Sequence, residues 1–130
     1  MKKISLSTRK EIDLFDITGD VSEAVKNVKS GICTVFTKHT TTGIIINENE
    51  SGLKDDILTL LKRIVPKGGG YKHDRIDNNA HSHLMSIMLG PGVTVPIEDG
   101  KLVLGPWQSI FFVECDGPRN RELFVNIIEG

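Results

Sequence analysis

Short β-branched and aromatic runs, each closed by a turn-forming residue, dominate this chain and restrict it to a sheet-rich fold. Ile4 and Leu6 alternate with polar neighbours in residues 2–8, and Ile12, Leu14 and Ile17 continue the pattern in 11–18. Apolar residues at a period of two read as half-buried strand. Residues 32–37 (Ile-Cys-Thr-Val-Phe-Thr) and Gly43-Ile44-Ile45-Ile46-Asn47-Glu48 read as two further strands separated by a break at Thr40 to Gly43. Val93–Ile97 and Lys101–Leu104 flank Asp99-Gly100, a favoured tight-turn pair, and form a hairpin with Pro96 on an edge. Residues 107–115 and 122–128 supply two more strands.

Helical spacing interrupts this pattern three times. Asp20 and Glu23 resemble a capping box ahead of Val21, Ala24, Val25 and Val28, with Gly31 ending the helix. Leu53, Ile57, Leu60, Leu61 and Ile64 form the clearest amphipathic stripe, with Ser51 as its N-cap and Pro66 as its stop. Residues 80–89 suit a short helix capped by Asn79, with Leu84, Met85, Ile87 and Met88 on one face. His81 falls inside that face and His83 on its polar flank, because two residues span about 200° of an α-helix. About eight strands and three helices in irregular order, without βαβ alternation, predict a single α+β domain over 1–130 with a mostly antiparallel sheet or sandwich.

The chain has 130 residues, enough for one domain with a proper core. Its 16 basic and 17 acidic residues leave a net charge of −1, which argues against nucleic acid as a partner. Cys33 and Cys115, the only cysteines, lie in strand-like apolar runs and read as buried, reduced thiols. Lys2 and Lys3 precede an alternating segment rather than an apolar one, and no apolar run approaches membrane-spanning length. The expectation is a cytoplasmic protein with no membrane partner.

The chemistry-bearing residues are clustered. His39 lies in Lys38-His39-Thr40-Thr41-Thr42-Gly43, His73 in Tyr71-Lys72-His73-Asp74, and His83 in Asn79-Ala80-His81-Ser82-His83-Leu84. Imidazole titrates near neutrality and ligates divalent metals. The hydroxyls after His39 can hold an anion or simply satisfy their own turn. Glu48 ends the strand that starts beyond His39, and can orient an imidazole, act as a base or be a solvated strand end. Glu114, inside an otherwise apolar strand, needs a partner or solvent. Arg119 and Arg121 can grip phosphate or carboxylate in a fork. Trp107 is read as core. The glycine-rich stretch 66–79, with glycines at 68–70, is a long connection of the kind that carries function. There is no phosphate-binding P-loop, no HExxH and no G-x-S-x-G elbow.

Taken in order, five segments resemble the YjbQ-like family, described as secondary thiamine-phosphate synthases: His39-Thr-Thr-Thr-Gly-Ile-Ile-Ile-Asn-Glu48, Tyr71-Lys-His73-Asp74, His83-Leu with Met88-Leu-Gly90-Pro, Gly105-Pro-Trp107-Gln108-Ser-Ile, and Glu114-Cys-Asp-Gly-Pro-Arg119-Asn-Arg121. The resemblance implies a compact α+β fold, a homotrimer and formation of thiamine monophosphate. In that reaction a pyrimidine pyrophosphate and a thiazole phosphate join with release of pyrophosphate. It also implies that His39, His73 and His83 are the functional histidines, and that His81 is not.

The expected catalytic set is His39, Glu48, His73, His83 and Glu114. Thr41, Thr42, Gln108, Arg119 and Arg121 would bind substrate phosphate. His39, His73 and His83 would also be the ligands of a divalent metal, for which three neutral imidazoles favour zinc; magnesium prefers oxygen and would arrive with pyrophosphate. Two other readings use the same residues: a metal-dependent hydrolase of a small phosphorylated or cyclic substrate, and a non-catalytic oligomeric module that binds a small anion.

Overall fold

The computed structural model describes all 130 residues. It is an α+β domain with strands β1 (Lys2–Ser7), β2 (Asp13–Asp16), β3 (Ser30–Thr37), β4 (Thr42–Asn47), β5 (Gly92–Glu98), β6 (Lys101–Leu102), β7 (Ser109–Glu114) and β8 (Asn120–Glu129). The α-helices are α1 (Thr18–Val25), α2 (Ser51–Ile64) and α3 (Ala80–Leu89), and a 3₁₀ turn spans Lys72–Arg75. A five-stranded sheet has the order β1-β8-β3-β5-β6 and a three-stranded sheet the order β2-β7-β4. Every pairing is antiparallel.

Strand alternation sends side chains to two separate cores. Ile44, Ile110 and Phe112 of the small sheet pack with Cys33, Val35, Val95, Leu123 and Val125 of the large one. The opposite parity of the small sheet, Ile45 and Val113 with Cys115 just beyond β7, packs under Leu61, Val65, Met85 and Leu89 of the helical layer. The small sheet is therefore covered on both sides, which explains why Gly43–Ile46 and Ile110–Val113 read as continuous apolar runs. Full burial of Phe112 alone contributes roughly 2–3 kcal/mol.

The polar residues within this pattern follow the same parity. Glu114 continues the Ile110–Phe112 face, and Arg121 continues the Leu123–Val125 face of the opposite sheet. The two charges thus meet between the sheets, as do Thr37 and Thr42, whose hydroxyls are 2.9 Å apart.

Helix α3 sits directly on β4. Ser86 Oγ donates to the Thr42 carbonyl at 2.5 Å, and Ser82 Oγ donates to the Cys115 carbonyl at 2.6 Å. Gly43 permits this seating, because a Cβ there would stand 2.5 Å from Leu89 Cβ. At the far end of the molecule Asp99 (φ 50°) and Gly100 (φ 73°) form the hairpin turn, as Asp-Gly predicts.

Several local expectations are corrected. Helix α1 starts at Thr18, so Asp20 lies inside its first turn rather than capping it; the Asp16 carboxylate accepts from Thr18 N–H at 2.9 Å instead. Gly31 belongs to β3. Glu50, not Ser51, caps α2, accepting from Gly52 and Leu53 N–H at 2.5 and 2.8 Å. Asn79 makes no capping bond; Asp74 Oδ1 accepts from Ala80 N–H at 3.0 Å. On α3 the buried face is His81, Ser82 and Met85, while Leu84, Ile87 and Met88 are exposed. Trp107, expected in the core, is 72% exposed. Cys33 and Cys115 are free and buried, as expected. No helix is long and apolar enough to cross a membrane.

Candidate functional site

The chain leaves β3 at Thr37 and re-enters the small sheet at Thr42, and the corner between them carries His39. The Thr37 hydroxyl accepts from His39 N–H at 3.3 Å and fixes the corner. The ring then reaches the edge of β8, where Nε2 accepts from Glu122 N–H at 3.1 Å. A ring nitrogen that accepts from a backbone N–H bears no proton, so neutral His39 carries its proton on Nδ1. Burial, and after it the positive charge of Arg121, hold the His39 pKa below the usual histidine value. The neutral form of His39 is therefore favoured, with Nδ1–H as its remaining donor.

His83 approaches the same space from α3. A cavity of about 420 Å³ is lined by Lys38, His39, Thr40, Thr41, His83 and Arg121, with Asp77, Asn79, Asp116 and Arg119 along its other wall. No hydrophobic residue lines it. A neighbouring cavity of about 630 Å³ shares Lys38, His39, Thr40 and His83 but adds Phe36, Ile87 and Pro91. The two together make one cleft with a polar half and a mixed half.

His73 joins this group through His83, their rings meeting edge to face with centroids 4.8 Å apart. Asn79 sets its orientation. Asn79 Nδ2 donates to Asp116 Oδ2 at 2.9 Å, which turns Asn79 Oδ1 towards His73 Nε2 at 3.0 Å. A carboxylate can only accept, so the amide direction is fixed and His73 donates from Nε2. Of the three histidines predicted from sequence, His39 and His83 thus line one cleft, and His73 stands behind His83 without lining it. As they stand they do not present three lone pairs to one point: His39 Nε2 and His73 Nε2 are both engaged, and no group of three or more His, Cys, Asp or Glu side chains is arranged to hold a metal ion.

The arginines are placed differently from the sequence expectation of two open forks. Arg121 Nε donates to Glu114 Oε1 at 2.8 Å, and its Nη2 donates to Glu114 Oε2 at 2.5 Å and to Thr41 Oγ1 at 2.8 Å. Both side chains are buried, and Thr8 Oγ1 donates to Glu114 Oε1 at 2.7 Å. The fork is spent on Glu114, leaving Nη1 as the nitrogen free of protein partners at the cavity. Arg119 is similarly engaged, with Nε to the Asp116 carbonyl at 2.9 Å and Nη2 to Asp116 Oδ2 at 3.0 Å, but half of its side chain is exposed.

The other expected site residues separate into two groups. Thr41 lines the cavity, whereas the Thr42 hydroxyl faces the sandwich interior and is bound to Thr37. Glu48 and Gln108 are not at the cleft. They follow Asn47 and precede Ser109, which pair at the opposite end of the small sheet from the Thr42–Glu114 pair. Six residues of strand at roughly 3.4 Å each put Glu48 on the order of 20 Å from Thr42. Lys38, Thr40, Asp77, Asn79 and Asp116 are cleft residues not predicted as such. The Asp77-Asn78-Asn79 run before α3 and the Asp116/Arg119 pair around a turn were the available signals.

His81 points away from the cleft, as its helical angle requires. It is buried and bonded to Glu11 Oε1 at 3.0 Å, and this bond, ahead of the neighbouring Lys67, holds the Glu11 carboxyl below its usual range.

Comparison with known proteins extends over the whole chain. A family model described as "UPF0047 protein YjbQ-like" matches residues 2–130. A UPF0047 protein of Archaeoglobus fulgidus is 48% identical over 126 residues, covering 97% of this chain and 99% of the relative. The UPF0047 protein YugU of Bacillus subtilis is 32% identical over 134 residues, covering 98% of each. A crystal structure from Sulfolobus solfataricus, described as a YbjQ-like protein of unknown function, superposes with a TM-score of 0.97 at 43% identity, covering 99% of this chain and 96% of that one. A Clostridium acetobutylicum protein described as an uncharacterized member of the yjbq/upf0047 family gives 0.93 at 44% identity, covering 98% and 100%.

Proposed function

The chain belongs to the UPF0047 YjbQ-like family, and from that premise we propose that its cleft binds phosphorylated substrates and joins a pyrimidine pyrophosphate to a thiazole phosphate. The reading rests on one observation above the others. Arg121 is buried, aligned by Glu114 and Thr41, and presented beside His39 in a cavity lined by no hydrophobic residue. A guanidinium held in place by a buried carboxylate is preorganised to stabilise charge that develops on a leaving group.

In the proposed step the thiazole nitrogen attacks the methylene carbon that bears pyrophosphate. The C–N bond forms as the C–O bond breaks, and pyrophosphate departs with the electron pair while the ring becomes a thiazolium cation. Arg121 Nη1, the exposed part of Arg119, and Lys38 take the leaving-group charge. His39 donates from Nδ1 to a phosphate oxygen, and Thr40 and Thr41 supply hydroxyls. The mixed half of the cleft, with Phe36 and Ile87, suits an aromatic ring. Glu114 acts by holding Arg121.

Two attributes accompany this reading as proposals. The protein is a cytoplasmic homotrimer. Zinc at His39, His73 and His83 is a separate proposal, and no step above is routed through it, because binding would require His39 to release Glu122 N–H and the rings to regroup. Magnesium would enter on pyrophosphate oxygens. Metal analysis of protein purified without added zinc tests the zinc site, and less than one metal per chain removes it.

The decisive assay supplies both precursors, singly and together, and measures pyrophosphate and thiamine monophosphate. Release that requires both precursors, and that falls by about 10²-fold or more in Arg121→Met, is the expected result. Release from one precursor alone would instead favour a hydrolase. Pyrophosphate binding without turnover would favour an anion-binding module.

A further inference from the structure

We propose that a second cavity, separate from the cleft, binds a phosphate monoester of a small apolar group, with Lys10, Lys62 and Lys67 on the phosphate and Ile12, Val65 and Met85 against the apolar group. This site goes beyond the proposed function and does not depend on it.

The cavity holds about 470 Å³, the size of a small-molecule pocket. It lies where the segment between β1 and β2, the end of α2 and the buried face of α3 converge. It shares no residue with either half of the cleft. Val65 and Met85 are buried and Ile12 is half-buried, so the floor is apolar. The rim sets three ammonium groups, on Lys10, Lys62 and Lys67, against one carboxylate, that of Glu11. The chain as a whole has 16 basic and 17 acidic residues, so this is a local excess against an even background. The polar half of the cleft is closer to balance, with Lys38, Arg119 and Arg121 set against Asp77 and Asp116.

Glu11 fixes the frame and is used up in doing so. Its carbonyl accepts from Gly117 N–H at 2.9 Å, which holds the segment in place. Its Oε1 lies 3.0 Å from His81 Nε2 and 3.3 Å from Lys67 Nζ. Lys10 and Lys62 have no carboxylate partner. His81 lines the same cavity. Because the Glu11 carboxylate can only accept, His81 donates from Nε2, and Nδ1 of the neutral ring is left as an acceptor. Nδ1 is the one buried side-chain nitrogen or oxygen in the molecule without a hydrogen-bond partner. An unfilled buried acceptor marks a place where a donor from outside the chain belongs, and a water ordered by bound phosphate supplies it.

The charge selects the ligand. Glu11 balances one ammonium group and leaves two, which match a phosphate monoester, with a charge of about −2 near neutrality, better than a carboxylate. Lysine binds phosphate as a point charge and needs no fork geometry. The carbonyl end of α2 opposes an anion with about half a charge, a minor part of that excess. The apolar floor selects an ester over inorganic phosphate, since only the ester carries a group that gains by leaving water.

The test titrates phenyl phosphate into the full chain and follows the ¹³C-methyl signal of Met85, assigned by its loss in Met85→Leu. The chain has three methionines, and Met1 and Met88 are exposed, so the buried Met85 is a local reporter. The expected result is a saturable shift of Met85, with weaker binding of inorganic phosphate and of benzoate. Lys10→Ala/Lys62→Ala, a change of two exposed side chains, should weaken phenyl phosphate by about tenfold or more. Lys38→Ala/Arg119→Ala, in the cleft, should leave the Met85 titration as it is. No Met85 shift at about 10 mM probe, well above a Kd of about 1 mM, overturns the proposal. So does equal affinity for benzoate, equal affinity in the Lys10/Lys62 variant, or a Met85 response abolished by the cleft variant. Failure of the proposed synthase reaction leaves each of these outcomes readable, because none of them depends on turnover.

Discussion

Arg121 and Glu114, from facing sheets, meet side by side through two hydrogen bonds of 2.8 and 2.5 Å at a point where both side chains are buried. Removing one partner strands a buried charge. Glu114→Gln is expected to cost about 3–5 kcal/mol in urea unfolding. The double variant Glu114→Gln/Arg121→Met should recover a large part of that loss, because it removes both charges. Equal destabilisation by the single and double variants would show that packing, and not charge pairing, sets the cost.

The depressed pKa of His39 has a defined pH signature. On acidification the unfolded chain protonates His39 before the folded one does, so folding is favoured above the unfolded histidine value of about 6.5 and that contribution is lost as pH falls through the folded pKa. Proton NMR of the His39 ring should give a midpoint below about 6.5, and His39→Gln should flatten the acid limb of the stability profile below that pH. A midpoint above 6.5 would mean that the carboxylates of Glu114 and Glu122 outweigh burial and Arg121.

Asn79 joins His73 to Asp116 and so to Arg119. Asn79→Ala is expected to cost about 1–3 kcal/mol for the groups left unpaired and to weaken pyrophosphate binding by calorimetry. Asn79→Asp should weaken it further, since it sets a second carboxylate against Asp116. Unchanged binding in both variants would remove Asn79 from the cleft's working parts.

Glu50 caps α2 with its carboxylate on two N–H groups. Glu50→Ala should destabilise the fold, while Ser51→Ala should have a smaller effect. The reverse ranking in thermal unfolding would return the cap to Ser51.

Cys115 is buried between the small sheet and the helical layer, and burial, with Glu114 nearby, pushes its thiol up to about 12. At pH 8 the thiolate fraction is then about one in ten thousand. Ellman's reagent should titrate no thiol in the folded protein and both in guanidinium chloride. Fast labelling of the folded chain would show that the core opens at Cys115.

The strands were readable because their apolar residues fit a pleat, and α2 because its stripe fits a helix. The cleft was readable only at its centre. His39, His83 and His73 stood out as imidazoles in polar clusters, and His81 could be set aside from its angle on α3. The separation of Glu48 and Gln108 from that group was not readable, since it depends on the direction in which β4 and β7 leave the cleft. The caps went astray for a local reason: Glu50 and Asp74 reach helix N-termini from further away than Ser51 and Asn79, and spacing favours the nearer residue. Trp107 was read as core, and Leu84, Ile87 and Met88 were grouped on the apolar face of α3, because hydrophobicity alone does not say which side of an element the rest of the chain covers.

Gly43 couples the two sides of the cleft. Its missing side chain lets Leu89 rest on the strand four residues past His39, on the helix that carries His83. The width of the opening between those two imidazoles is accordingly set by an atom count at position 43. A single methyl group there would act as a wedge, prising one wall from the other and spoiling both without touching either ring.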